Sequence, residues 1–102
     1  MLEIRPNCEV CDKDLPPESN QAYICTYECT FCKSCVDDLF KNVCPNCGGG
    51  LCQRPIRPIK DRRAGVSLIH HPASSERVHT SLTEKEIIEF SNLVKDIKVE
   101  ER

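Results

Sequence analysis

The chain has 102 residues, a formal net charge of −2 and nine cysteines, with three Phe, two Tyr and no Trp. This length allows one domain, or one small domain with a tail. No segment approaches the roughly 18 consecutive apolar residues of a membrane span, and the first residues lack the basic start and apolar run of a secretory signal. We therefore expect a cytoplasmic protein, without membrane association, whose cysteines stay reduced and serve as metal ligands.

Cysteine content and charge divide the chain into three segments. Residues 1–52 contain all nine cysteines, with four basic and eight acidic residues. Residues 53–63 contain five basic residues and one Asp, and Pro55 and Pro58 favour an extended backbone there. Residues 64–102 contain five basic and seven acidic residues. We expect a cysteine-rich module, then a basic Pro-containing arm, then a loop that leads into a C-terminal helix.

Short elements are predicted inside the module and just after it. β-prone residues around Cys25 predict a hairpin in the segment AYICTYEC. The segment VDDLFKNV predicts a two-turn helix at residues 36–43, because its apolar residues fall on one face. A short strand is expected at Val66–Ile69. The expected core is thin and consists of Tyr23, Ile24, Tyr27, Phe31, Leu39 and Phe40.

The strongest helix signal lies near the C-terminus, where we expect a helix over residues 84–99. Thr83 and Glu86 form a capping box, and Leu82 with Ile87 fits a hydrophobic staple. Because an isolated helix of this length is marginal in water, it should dock on the module or contact another chain, as in a dimer. Its apolar stripe repeats at three- and four-residue steps and comprises Ile87, Phe90, Val94 and Ile97.

Eight of the nine cysteines form four ordered pairs. The pairs are Cys8-x2-Cys11, Cys25-x3-Cys29, Cys32-x2-Cys35 and Cys44-x2-Cys47. Two such pairs complete a tetrahedral four-thiolate zinc site, so four pairs predict two Zn²⁺ ions, although spacing alone does not separate zinc from iron. A module of this size buries too little apolar surface to fold unaided, and each structural zinc contributes on the order of 10 kcal/mol. Removing the metal should therefore unfold residues 8–47.

The order of these pairs resembles the RING finger family in an all-cysteine form. That resemblance implies a small metal-stabilised α+β fold of the treble-clef, cross-braced type, in which alternate pairs share an ion. It assigns Cys8, Cys11, Cys32 and Cys35 to site 1, and Cys25, Cys29, Cys44 and Cys47 to site 2. Sequential sites of the LIM type remain an alternative, although LIM outer loops are longer than those here. PHD fingers need a wider gap between the fourth and fifth ligands.

Two positions bear on whether such a module is a ubiquitin ligase. Val10 and Pro45 match positions that contact ubiquitin-conjugating enzymes in active RING fingers. Gly48 departs from the active pattern, which often has a basic residue after the last ligand. Ligase activity therefore stands as a secondary alternative, beside a redox-sensitive zinc switch.

A second resemblance covers residues 1–58. The segments MLEIRPNCEVCDKDLPP, ICTYECTFCKSC and VCPNCGGGL are similar to a bacterial family of short, cysteine-rich proteins, domain-of-unknown-function family twelve seventy-two. This resemblance implies a bacterial cytosolic protein with bound metal, and it implies no particular activity.

The main expectation is a non-catalytic zinc-binding interaction module with a protein partner. Closed four-thiolate sites leave no position for water or substrate, which argues against a hydrolase. The alternative is binding of nucleic acid or another anionic partner through the arm, that is through Arg54, Arg57, Lys60, Arg62 and Arg63. Eight thiolates add eight negative charges and two zinc ions add four positive ones, so the net charge of −2 becomes −6 and opposes this alternative. We expect no ligand role for the remaining candidates, Cys52, His70, His71 and His79.

Overall fold

A three-stranded antiparallel sheet forms the centre of the protein, in a computed structural model that describes all 102 residues. Strands β1 (Ala22–Ile24), β2 (Thr30–Cys32) and β3 (Cys52–Gln53) lie in the order β2-β1-β3. Tyr23 pairs with Phe31 across the β1–β2 hairpin. A hairpin thus forms as predicted, but its second strand lies just after the segment AYICTYEC, and β3 adds a strand that the sequence did not indicate.

Three helical segments complete a small α+β fold. A short π-helix spans Cys35–Leu39, the helix α1 spans Glu84–Val94, and a 3-10 turn spans Val99–Glu101. The longest of them, α1, has 11 residues, and no helix here meets the length and hydrophobicity of a membrane span.

The first helix is shorter than predicted. It was expected at residues 36–43, but it ends at Leu39. Lys41 and Asn42 both adopt left-handed backbone conformations, with φ of 49° and 61°, which no right-handed helix can include. The Asn42 side chain then accepts a hydrogen bond of 2.8 Å from the Leu51 amide. This turn brings the chain back to the start of β3.

The core combines aromatic residues with cysteines. Phe31 and Phe40 are fully buried, and their rings meet edge to face with centroids 4.9 Å apart. Five of the eleven residues in the buried cluster are cysteines, so the thiols and the apolar core are continuous. Tyr27 was expected in this core, but it is 74% exposed. It lies in the tight turn between Cys25 and Cys29, where its amide instead contacts a sulfur.

The strand expected at Val66–Ile69 does not form, and a turn organised by Asp61 takes its place. The Asp61 carboxylate accepts hydrogen bonds from the Gly65 amide at 3.1 Å and from the Ser67 hydroxyl. It also pairs with His70 Nε2 at 2.8 Å. One carboxylate thus supplies the contacts that would otherwise come from a neighbouring strand.

The helix α1 begins with the predicted capping box but ends earlier than expected. The Glu86 amide donates to Thr83 Oγ1 at 3.1 Å, and the Thr83 amide donates to the Glu86 carboxylate at 3.2 Å. The helix ends at Val94, and the chain becomes extended at Lys98, where ψ is 140°. Val99 then packs so closely on Gly50 that a Cβ added at Gly50 would lie 2.9 Å from a methyl carbon of Val99.

The helix α1 docks on the cysteine module of its own chain. Ile87 is 1% exposed and belongs to the buried cluster. The Ser91 hydroxyl donates a buried hydrogen bond of 2.7 Å to the Phe40 carbonyl. Ile97, the last residue of the predicted stripe, is 42% exposed because it follows the end of the helix. Burial of α1 therefore depends on its first two turns.

The segment before α1 also lies against the N-terminal residues. The Ser74 amide donates to the carbonyls of Glu3 and Ile4, both at 3.1 Å, and the Thr80 amide donates to the Glu9 carbonyl at 2.8 Å. Arg77 pairs with the carboxylates of Asp12 and Asp14. Long-range hydrogen bonds thus join the C-terminal half of the chain to the cysteine module.

Candidate metal centre

Four cysteines from two separate pairs converge in one group, the first sulfur group. The Sγ atoms of Cys8, Cys11, Cys32 and Cys35 all lie within 4.8 Å of one another. The closest approaches are 3.6 Å between Cys11 and Cys32 and 3.9 Å between Cys8 and Cys35. Sulfurs in a tetrahedral site with Zn–S of about 2.3 Å lie about 3.8 Å apart. The first group therefore fits a four-thiolate metal site.

Different local structures position the two halves of this group. Cys32 is the last residue of β2, and Cys35 is the first residue of the π-helix. Cys8 lies in a tight turn, in which its amide donates to the Lys13 carbonyl and its carbonyl accepts from the Asp12 amide, both at 2.9 Å. A strand end, a helix start and a turn thus meet at one point.

The second sulfur group comprises Cys25, Cys44 and Cys47, whose Sγ atoms also lie within 4.8 Å of one another. The turn at Cys44 repeats the one at Cys8: its amide donates to the Gly49 carbonyl at 2.9 Å, and its carbonyl accepts from the Gly48 amide at 2.8 Å. Cys29 is buried and lies beside this group, where its thiol interacts with that of Cys25, but its sulfur is not within 4.8 Å of all three members. The group has three members, where the resemblance to RING fingers implied four.

Backbone amides point at the sulfurs of both groups. The Tyr27 amide donates to Cys25 Sγ at 3.3 Å, and the Gly49 amide donates to Cys47 Sγ at 3.4 Å. Burial raises the pKa of Cys44, while the backbone N–H groups of Asn46 and Cys47 act in the opposite direction. Such N–H donors favour thiolates, which are the form that binds a metal ion.

The thiols of the first group differ in the direction in which their pKa values are shifted. A hydrogen bond with Cys35 lowers the pKa of Cys8 to about 4, although burial opposes this shift. The same interaction raises the pKa of Cys35, and burial raises the pKa of Cys11. One thiolate is therefore stable at neutral pH, whereas neighbouring charge and burial oppose further ionisation. A bound cation would remove this opposition.

Glu9 links the two groups, and sequence reasoning missed it. It lies between Cys8 and Cys11, and it is only 4% exposed. Its Oε2 accepts from the Thr30 amide at 3.0 Å and from Arg5 at 3.2 Å, while its Oε1 accepts from the Asn46 side chain at 3.2 Å. Its position inside a Cys-x2-Cys pair was visible in the sequence, but nothing there indicated burial.

The remaining soft ligands lie apart from both groups. Cys52 is exposed on β3, opposite Ile24. His70 pairs with Asp61, and neither it nor the other two histidines belongs to a metal-ligand group.

Two residues of the basic arm make hydrogen bonds within the chain, although the arm was expected to be extended and available to an anionic partner. Arg54 is 2% exposed, and its guanidinium donates to the carbonyls of Arg5, Leu15 and Pro16 at 2.8 to 3.2 Å. Arg57 donates to the carbonyls of Leu2 and His71 at 2.6 and 2.7 Å. Two guanidinium nitrogens of each side chain thus donate to backbone oxygens, whereas Arg54 Nε is buried without a partner. The exposed cations of the arm are Lys60, Arg62 and Arg63.

The fold and the sulfur groups define a small, cysteine-rich α+β protein with two clusters that can hold metal ions. Residues 1–57 match the family described as "Protein of unknown function (DUF1272)". An uncharacterized protein of Rhizobium meliloti (strain 1021) is 53% identical over 78 residues, which cover 76% of this chain and 86% of that protein. The chain belongs to the DUF1272 family. No solved structure matches it.

Proposed function

We propose that this protein binds two zinc ions and uses them to hold a rigid, non-catalytic surface that a protein partner recognises. The observation that carries the proposal is the convergence of Cys8, Cys11, Cys32 and Cys35, whose sulfurs lie within 4.8 Å of one another. The spacing of these four thiols suits a tetrahedral ion without rearrangement.

Zinc suits this donor set best among the common metals. All the donors are thiolates, which select soft or borderline ions, and a small scaffold with paired turns gains folding free energy from a structural zinc. All nine cysteines are free thiols, and a reducing cytosol would keep them so. The relative from Rhizobium meliloti supports a bacterial origin for this chain.

The chain order of the two groups supports a cross-braced module of the RING or treble-clef type. Cys25 of the second group lies in the sequence between the two halves of the first group. An ion in each group therefore ties together segments that are distant in sequence. Sequential sites of the LIM type would instead join neighbouring pairs.

A non-catalytic role is favoured over metal-dependent hydrolysis, because in the first sulfur group the protein supplies all four ligands, which leaves no open position for substrate. Two other positions weigh against ligase activity. Pro45 is buried, and Val10 is half-buried and packs against the core. These are the positions that would contact a conjugating enzyme, and here they are covered within the chain.

Binding of nucleic acid is disfavoured. Arg54 and Arg57 donate hydrogen bonds to backbone carbonyls of the same chain. The exposed cations of the arm are Lys60, Arg62 and Arg63. Three exposed cations on a body of net negative charge provide little counterion release on a phosphate backbone.

The proposal is tested by metal analysis of the protein as purified from cells under reducing conditions. Native mass spectrometry with elemental analysis should find two zinc ions per chain. Cys52→Ser is the matched control, since this exposed thiol belongs to neither group, and it should also retain two ions. A metal-free protein with disulfide-linked masses would overturn the proposal, and iron in place of zinc would correct the identity of the metal.

A further inference from the structure

The two sulfur groups differ in the number of thiols that converge. The first group has four mutually close sulfurs, whereas the second has three, because Cys29 lies outside it. Exposure does not explain the difference, since each group has one exposed member, Cys11 in the first and Cys47 in the second. Cys29 is itself 8% exposed, so it has not turned out to solvent.

A polar network lies beside Cys29, at the neighbouring residue Thr30. The Thr30 amide donates to Glu9 Oε2 at 3.0 Å, and the Asn46 side chain donates to Glu9 Oε1 at 3.2 Å. Glu9 is also held by Arg5. This network fixes the backbone next to Cys29, at the edge of the second sulfur group.

An apolar cavity of about 650 Å³ reaches the second group from one side. Cys25, a member of that group, lines it together with Ile24, Leu51, Cys52 and Val99. A cavity of this size admits a small chelating ligand. The cavity thus adjoins the second group at Cys25, and another member of that group, Cys47, is exposed at the surface.

We infer that the two metal sites have different roles: the first sulfur group holds a permanent structural ion, and the second is an exchangeable site held by three thiolates. This inference rests on the two-zinc function proposed above and assigns metal exchange to one site. Cys25, Cys44 and Cys47 hold the ion, while Cys29 or an incoming small thiol or chelating ligand occupies the fourth position. Because that position needs no rearrangement of the other three thiols, exchange there is fast compared with the closed group.

The test is a timed competition with EDTA on the two-zinc protein, followed by native mass spectrometry. We expect a one-zinc species to accumulate, because the second site releases its ion at least about tenfold faster than the first. Iodoacetamide applied to that species, followed by tryptic mapping, identifies the emptied site. The tryptic peptide 34–41 contains Cys35 as its only cysteine and reports on the first group. In Cys52→Ser, the peptide 42–60 contains only Cys44 and Cys47 and reports on the second.

Two matched variants test the ligand number directly. Cys11→Ser and Cys29→Ser each remove the second cysteine of a pair. Cys11→Ser should fall to one zinc, because it breaks a four-sulfur group, whereas Cys29→Ser should retain two. The chelation experiment needs no ligand substitution, so it remains decisive if either variant fails to fold.

The outcomes separate this inference from the proposed function. A one-zinc species in which Cys44 and Cys47 are alkylated and Cys35 is protected supports it. Simultaneous loss of both ions, earlier loss from the first group, or loss of one zinc in Cys29→Ser overturns the inference and leaves the two-zinc proposal intact. A protein that never binds zinc overturns both.

Discussion

Asp12 and Gly48 occupy the same position in two copies of one backbone turn. Each directly follows the second cysteine of a Cys-x2-Cys pair, and each has a left-handed backbone, with φ of 63° and 78°. Their amides donate to the carbonyls of Cys8 and Cys44, at 2.9 and 2.8 Å. Asp tolerates this conformation because its short polar side chain bonds locally. At Gly48 the backbone conformation is what favours glycine, since a Cβ there would lie 3.4 Å from Phe90 Cζ of α1, an ordinary van der Waals contact.

Gly48→Ala should therefore destabilise the protein through its backbone. The left-handed conformation costs about 1–2 kcal/mol for a residue with a Cβ. Gly65→Ala is the matched control, because Gly65 also has positive φ, of 82°, but a Cβ there meets nothing within 4 Å. Urea unfolding at a fixed free zinc concentration should show similar losses for the two variants. A clearly larger loss for Gly48→Ala would mean that the new methyl group displaces Phe90.

Arg54→Met should be strongly destabilising, by about 3 kcal/mol, because it leaves buried carbonyl groups without a donor. The carbonyls concerned are those of Arg5, Leu15 and Pro16. Arg62→Met removes an equal charge from the exposed part of the arm and should change stability by less than about 0.5 kcal/mol. Thermal unfolding of the zinc-loaded variants measures both effects. An unchanged stability in Arg54→Met would contradict the structural role assigned to this guanidinium.

Ile87→Ala tests whether α1 is part of the folded module. Ile87 is 1% exposed, so the substitution should leave a cavity and cost about 2–4 kcal/mol. Ile88→Ala, at the next position of the same helix, is the control, because Ile88 is 37% exposed and should lose far less. Chemical denaturation of the two variants gives the difference. If both behaved alike, the docking of α1 on the module would be wrong.

The turn at residues 61–70 should depend on pH through Asp61. The hydrogen bond from Ser67 is the main cause that lowers the pKa of this carboxyl below 3.8, and the Gly65 amide acts in the same direction. Because the folded pKa lies below the unfolded value, the stabilisation is present above pH 3.8 and is lost as the pH falls through the folded pKa.

An NMR titration of the Asp61 carboxyl measures this pKa directly. We expect the Gly65 amide resonance to shift with the same midpoint, since that amide donates to the carboxylate. In Asp61→Asn the shift at Gly65 should disappear, whereas in Asp96→Asn, outside the turn, it should persist. An Asp61 midpoint at or above 3.8 would contradict the hydrogen-bonded arrangement.

The sequence by itself determined the hairpin, the start of α1 and the pairing of the cysteines along the chain. These features depend on neighbouring residues: the capping box of Thr83 and Glu86 needs only a three-residue spacing, and a Cys-x2-Cys turn needs only four residues. The family was also evident at this level, because the segments that carry it lie within residues 1–57.

Only the tertiary structure decided which long-range contacts override local preference. The helix α1 ends at Val94, and the chain that follows places Val99 against Gly50, a contact distant in sequence. Arg54 lies in a basic, Pro-containing segment that was predicted to be an exposed arm. It is nevertheless buried, because its guanidinium donates to backbone carbonyls that are distant in sequence. Glu9 is buried for a similar reason, since its partners Thr30 and Asn46 come from other turns. The separation of Cys29 from the second sulfur group likewise depends on the packing of those turns, which spacing along one chain does not specify.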